Sequence, residues 1–217
     1  TTSIDRRIDC FVDIFGSGFL RGGSTWHEYF DQLPDDQFDK WEKHFDASRY
    51  VAQISVPVLG VTGTNDNCYY LPRFMRTLRI IRPTPDLIIR PNLRHKIDEI
   101  AREGYYRWLS RTLDQDGAGA EPGIRHVRTT IADGDAQVQL KPTGASAPQR
   151  ADVCYGKVGN LGWTNRTWHS VECAEAPDGD WWSTDVPLVT PLTYLYGNAY
   201  WQNGSVVSTP VHTIAVA

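Results

Sequence analysis

The sequence predicts an α/β unit followed by an all-β unit, and three observations carry that prediction. Short apolar runs alternate with stretches of helical spacing as far as residue 113, and then the apolar period changes to two. Charge divides at the same place. Residues 1–115 hold 16 basic and 16 acidic side chains, whereas residues 116–217 hold 6 and 10, which is the whole of the formal charge of −4. Between the two lies Asp114-Gln-Asp-Gly-Ala-Gly-Ala-Glu-Pro-Gly123, whose Gly- and Asp-rich composition is that of a linker. The expected organisation is therefore an α/β segment over 1–115, a linker over 116–123 and a β-sandwich over 124–217.

Each element has a local reason. Ile8–Phe15 is a short apolar run stopped by Gly16-Ser-Gly18, the pattern of a strand entering a turn. Residues 26–50 carry Trp26, Tyr29, Phe30, Phe38, Trp41 and Phe45 at helix-like spacings, with a break near Pro34. Val56–Val61 is a continuous apolar run of strand length, and it leads into Thr62-Gly-Thr-Asn-Asp66. Residues 71–82 have helical spacing, Asp86–Ile89 with Arg90 reads as another buried strand, and Ile97–Leu113 closes the segment as a helix. After the linker, Val127–Ile131, Ala136–Leu140, Ala151–Gly156, Thr167–Cys173, Leu192–Tyr196 and Val206–Ala215 are short and alternating or β-branched. Gly, Pro and Asp clusters separate them, as in a β-sandwich.

Composition excludes several function classes. Hydrophobic residues at 41% and charged residues at 22% are those of a folded globular chain, not a disordered one. A charge of −4 gives no bulk attraction to nucleic acid or an anionic membrane. The longest clean apolar run, Val56–Val61, is far short of a membrane span. Met75 is the only methionine and residue 1 is Thr, so the expectation is a processed or cut polypeptide with material upstream. Cys10, Cys68, Cys154 and Cys173 show no metal-like spacing. Cys10 and Cys68 read as buried thiols, and a Cys154–Cys173 disulfide stays open at this stage; if formed, it implies an oxidising compartment. Asn165-Arg-Thr and Asn203-Gly-Ser match glycosylation sequons.

The candidate chemistry lies at strand ends. Val58-Leu-Gly-Val-Thr-Gly-Thr-Asn-Asp66 delivers an acid to the carboxyl end of a buried strand, where a parallel sheet opens its ligand crevice. The next strand ends shortly before Asn92-Leu-Arg-His95. An Asp that accepts from one imidazole nitrogen fixes the tautomer and leaves the other nitrogen free to act as a base. Asp66 and His95 also stand in the order acid then histidine, as the second and third members of the α/β-hydrolase series do.

Asp46–His95 resembles the last third of an α/β-hydrolase of the acetylxylan-esterase and prolyl-oligopeptidase-like group. Arg49-Tyr-Val-Ala-Gln-Ile-Ser-Val-Pro-Val-Leu-Gly-Val-Thr-Gly-Thr-Asn-Asp66 resembles that family's approach to its acid. Arg90-Pro-Asn-Leu-Arg-His95, with Glu99-Ile100 in the helix after it, resembles the histidine loop, and Ile8–Gly18 the strand following the nucleophile elbow. Residues 130–217, with Trp163, Trp168 and Val206-Val-Ser-Thr-Pro210, are similar to the Ig-like tail of some bacterial members. The resemblance implies the C-terminal portion of a hydrolase parallel sheet plus a β-sandwich. It also implies ester or amide hydrolysis through a serine acyl-enzyme, esterase more than peptidase, with His95 as base and Asp66 as its orienting carboxylate. No metal or organic cofactor is implied, the substrate is an ester or amide such as an acylated carbohydrate, and the setting is secreted or periplasmic. The family's G-x-S-x-G is absent: Gly22-Gly-Ser-Thr-Trp26 and Gly144-Ala-Ser-Ala-Pro148 each hold only its first half. The nucleophile is then expected in a missing N-terminal half of the same hydrolase domain. The alternative is a non-catalytic carbohydrate- or protein-binding module built on a hydrolase remnant.

Other residues have simpler readings. Asp13 is a rival acid at the end of the first strand. His27, His44, His126, His169 and His212 fall in dissimilar elements and read as structural. Asp98 and Glu99 suit the first turn of the closing helix. Arg73, Arg76, Arg79 and Arg82 recur every three residues, drifting about 60° per step around a helix, and read as a solvated face. Five of the eight Trp lie after the linker; core packing is the expectation, with Trp181-Trp182 surface-placed beside Asp178-Gly-Asp180.

Overall fold

Three strands rich in Val, Ile and Leu lie parallel in the first half of the chain: β1 (Phe11–Ile14), β2 (Val58–Gly63) and β3 (Asp86–Arg90), in the spatial order β1-β2-β3. The computed structural model describes residues 5, 7–114, 121–157, 163–177, 179, 181–188 and 192–215. β2 is central and buried at every position, as its unbroken apolar run requires. The connection from β1 to β2 holds α1 (His27–Phe30), α2 (Asp35–Phe45) and 3-10 turns at Ala47–Arg49 and Val51–Gln53. Helix α3 (Leu71–Leu78) joins β2 to β3, and α4 (Glu99–Leu113) follows β3.

The sheet alternates its side chains between two clusters, with the period of a strand. Val58, Leu87 and Ile89 pack with Leu71, Phe74, Met75 and Leu78 of α3. Leu59, Val61 and Ile88 pack with Ala101 and Trp108 of α4. Trp108 Nε1 donates to Asp86 Oδ2 at 2.8 Å, tying the helix to the strand beneath it. Helix α4 starts at Glu99, two residues later than the expected Ile97, because the Asp98 carboxylate accepts from Ala101 N–H at 2.8 Å as its N-cap.

The second half forms two antiparallel sheets. One holds β4 (Gly123–Ala132), β5 (Asp135–Thr143), β8 (Ala174–Glu175) and β9 (Trp182–Pro187), in the order β4-β5-β9-β8. The other has β10 (Leu192–Tyr200) between β6 (Arg150–Lys157) and β11 (Val206–Ser208), with β7 (Trp168–Glu172) beyond β6. β12 (His212–Ala215) pairs with the first half of β10. The sheets share a core of Ala136, Val138, Leu140 and Val186 from the first and Ala151, Val153, Tyr155, Leu195 and Ala199 from the second, so they lie face to face.

The expected α/β unit followed by an all-β unit, a hydrolase parallel sheet plus a sandwich, is overturned. Among the described residues the chain is mostly β, with one small parallel sheet, two antiparallel sheets and four helices. The helix-like aromatics of 26–50 form one single-turn helix and one of eleven residues. The five-stranded sheet is also covered on both faces. Cys154, Trp168 and Tyr196 point away from the sandwich into the same cluster as α3 and β3. Ala151–Gly156 of β6 is therefore buried at every position, and a run buried on both faces carries no alternation to betray its second neighbour. β3 meets this sheet edge-on: Ile89 N–H donates to Ser208 Oγ at 2.8 Å, and Ile89 C=O accepts from Asn198 Nδ2 at 3.3 Å. Side chains do here what a neighbouring strand does elsewhere.

Smaller expectations change too. Gly123 begins β4, and residues 116–120 of the expected linker lie outside the described residues. The last expected strand divides in two around Pro210, which has no N–H for a ladder. Trp182 is 7% exposed and sits in the sandwich core opposite Leu140, not on the surface, while Trp181 is half-buried; Asp178 and Asp180 lie outside the described residues. Cys154 and Cys173 are free, buried thiols, whereas Cys10 and Cys68 are only half-buried. No helix among the described residues is long and apolar enough to cross a membrane.

Candidate functional site

The carboxyl ends of β2 and β3 converge because the strands are parallel neighbours in register, Gly63 beside Arg90. The turn after β2 is tied to the loop after β3 by Thr64 N–H to Arg90 C=O and Asn65 N–H to Leu93 C=O, both 2.9 Å. This brings together the two residues singled out by spacing. His95 Nδ1 lies 3.0 and 3.2 Å from the two oxygens of Asp66. Asp66 is fully buried, and its Oδ1 also accepts from Cys68 N–H at 2.7 Å and Tyr69 N–H at 3.1 Å. A carboxylate oxygen only accepts, so Nδ1 carries the proton, and in the neutral ring Nε2 then presents its lone pair. Among the described residues no hydrogen-bond partner meets Nε2, and the His95 side chain is 37% exposed.

Two aromatic rings flank the imidazole. Phe15 lies 4.7 Å from the His95 ring centroid and Tyr69 5.9 Å. Phe15 sits just past β1 with φ +62°, a left-handed backbone unusual for a bulky residue, and it is held by its N–H to Val61 C=O at 2.9 Å. Sequence reading missed Phe15 and Tyr69. For Phe15 the available signal was that all three parallel strands end on the same side, so the residue directly after β1 faces the same crevice; Tyr69, six residues past β2, had no such signal.

Asp13, the rival acid, does not join the couple. Its carboxylate accepts from Gly16 N–H, and burial pushes it up to about 6 against that hydrogen bond. The folded chain thus holds this proton more tightly than the unfolded chain, so stability falls as pH rises from about 4 to about 6 and stays lower above that. Asp13→Asn keeps an oxygen for Gly16 without the charge. Thermal melts should show the variant a few degrees more stable than the parent at pH 8 and equal to it at pH 4.

The remaining sequence candidates stand apart. His27 Nδ1 bonds Ser24 C=O, His169 stacks on Tyr155, and His126 lies against His212. Arg76 is stacked over Phe19 and Arg79 reaches Val211 C=O, so parts of the arginine row cover neighbours as well as facing water. Cys68 was read as a structural thiol, yet its Sγ, an Asp66 oxygen and a His95 ring nitrogen lie within 4.8 Å of one another. A carboxylate, a thiol and an imidazole are zinc-type donors. Both Asp66 oxygens already face His95, however, and desolvation together with the Asp66 charge raises the Cys68 pKa, which disfavours the thiolate a metal needs. The arrangement suits a proton better than a cation.

No protein-family model and no curated protein matches the chain. Among solved structures, BhCBM56, a carbohydrate-binding module, is 15% identical over 44% of this chain and 95% of its own, with a TM-score of 0.33. The Pyrococcus furiosus esterase Pf2001 is 17% identical over 52% of this chain, with a TM-score of 0.36. OgpA from Akkermansia muciniphila is 10% identical over 44%, with a TM-score of 0.31. The chain spans about half the length of the esterase (47%) and 29% of OgpA. Likeness this slight assigns no function.

Proposed function

We propose that Asp66 and His95 are the acid and base of a serine-type hydrolase site acting on a carboxylic ester. One observation carries the reading: a buried carboxylate holds Nδ1–H of a half-exposed histidine, and the other ring nitrogen is open. In that tautomer Nε2 takes the proton of a serine hydroxyl as its oxygen attacks the ester carbonyl carbon. It then returns that proton to the leaving alkoxide, and repeats the cycle with water to release the acid. Asp66 offsets the positive charge that His95 carries between those steps. Its two backbone N–H donors hold that carboxylate in place.

The nucleophile in this reading comes from polypeptide beyond the described residues, seated beside β1. Among the described residues β1 has only β2 as a neighbour in its sheet, and Ile14 at its end is 37% exposed. A parallel strand with one bare edge is an invitation to further pairing. The protein in its natural assembly should hydrolyse p-nitrophenyl acetate and take a fluorophosphonate label on a serine. Absence of both would overturn the reading in favour of a non-catalytic binding module.

A further inference from the structure

The segment 164–168, which leads from the second half of the chain into β7, is fastened to both loops of the couple by two asparagine side chains. Asn92, three residues before His95, donates Nδ2–H to Trp168 C=O at 2.7 Å and accepts from Trp168 N–H at 2.8 Å, as an adjacent strand would. Asn65, directly before Asp66, donates Nδ2–H to Arg166 C=O at 2.6 Å and to Thr164 C=O at 3.2 Å. Thr64 Oγ1 closes the ring, donating to Asn65 Oδ1 at 2.7 Å and accepting from Asn92 N–H at 2.8 Å. Thr64 and Asn65 are buried at 0% and 5% exposure, where an unmade hydrogen bond is costly. Asn92 holds φ +57°, a conformation asparagine tolerates and most side chains do not. Trp168, which Asn92 grips, is itself 3% exposed and packed on Tyr194 and Tyr196.

From this closed ring we infer that Asn65 and Asn92 are positioning residues, through which segment 164–168 sets the separation and orientation of Asp66 and His95. The antiparallel part of the chain is then a component of the site and not an attached passenger. The inference rests on the hydrolase reading for its functional meaning, but the geometry it describes is measurable without turnover. Among the described residues, and apart from the couple itself, the loops after β2 and β3 otherwise meet through two backbone bonds, which end at Arg90 and Leu93, before His95. Asn65 and Asn92 add a second tie by gripping segment 164–168, whose Arg166 and Trp168 are buried.

The test uses Asn92→Gly, which keeps the left-handed backbone while deleting the grip, and Asn65→Ala, which cuts the other arm independently. Each is studied in protein with labelled histidine, at a temperature well below melting and with unchanged circular dichroism. The parent should show His95 as the Nδ1–H tautomer, with a low-field imidazole N–H signal. In either folded variant that signal should weaken or vanish and the pH titration of His95 should move. Ester hydrolysis should lose roughly 10²-fold in kcat with KM changed less than twofold, the scale of a displacement near 1 Å. An unchanged signal and titration in the folded variants would overturn the inference. If the parent protein hydrolyses no ester and yet the signal still depends on the asparagines, positioning stands and the hydrolase reading falls.

Discussion

Asp66→Asn should lower kcat for ester hydrolysis by about 10⁴ while leaving the melting temperature within a degree or two, the scale set by losing the orienting carboxylate of a serine triad. The amide oxygen can still accept from Cys68 N–H and Tyr69 N–H, so the turn after β2 keeps its internal bonds. At the other carboxylate position, 3.2 Å from Nδ1, the substitution puts an N–H donor. The amide oxygen, shared with two backbone N–H donors, still lies 3.0 Å from Nδ1, so the new donor competes with it and raises the share of the tautomer with its proton on Nε2, which is not a base toward an incoming hydroxyl. The charge that would steady the imidazolium is lost as well. His95→Ala removes the base itself, and turnover should drop by about 10⁶. Steady-state kinetics on p-nitrophenyl esters beside thermal melts separate the two effects. Near-normal turnover by either variant would refute the assignment.

Gly63→Ala should be the most damaging single methyl near the site. A Cβ at Gly63 would lie 2.1 Å from Leu93 O, 2.7 Å from Leu93 C and 3.0 Å from Arg94 O. All three are backbone atoms of the loop that carries His95, so no rotamer change relieves the clash. Either the loop moves or β2 does. Overpacking of this kind costs about 3 kcal/mol, which in a chain of this size lowers Tm by roughly 6–12 °C. Activity should fall along with it, because the loop that yields is the one that carries His95, the proposed base. Gly134→Ala is the control: its φ is +88°, but a Cβ there meets nothing within 4 Å, so backbone strain of about 1 kcal/mol is the whole effect. Differential scanning calorimetry of the two variants, with the ester assay on each, distinguishes a steric collision at the site from a strained turn elsewhere.

The couple was legible in sequence because it depends on local grammar. An apolar run marks a buried strand, parallel strands end together, and an acid and a histidine stood at two consecutive ends. Nothing in that reasoning needed a long-range contact. Phe15, Tyr69, Asn65 and Asn92 were not legible as parts of the site, since their roles come from what the fold lays beside them. Asn92 matters because Trp168, 76 positions away, presents its backbone to it. The fold class failed for a related reason. Cys154, Trp168 and Tyr196 sit in segments that look like strands of a free-standing sandwich, and strand periodicity does not report what lies over the second face. Trp181-Trp182 was misplaced because nearby acidic and glycine residues outweighed the alternation that puts Trp182 in register with Leu140.

The sheet of β6, β10 and β7 can be thought of as a party wall. Tyr155 and Leu195 face one room, and their chain neighbours Cys154 and Tyr196 face the other. A peptide unit that shifts to suit a change on one side carries the next side chain with it into the opposite room, so repacking on either side is heard on the other. A substitution at Val153 or Leu195 in the sandwich core is therefore one residue from the layer packed on α3 and β3.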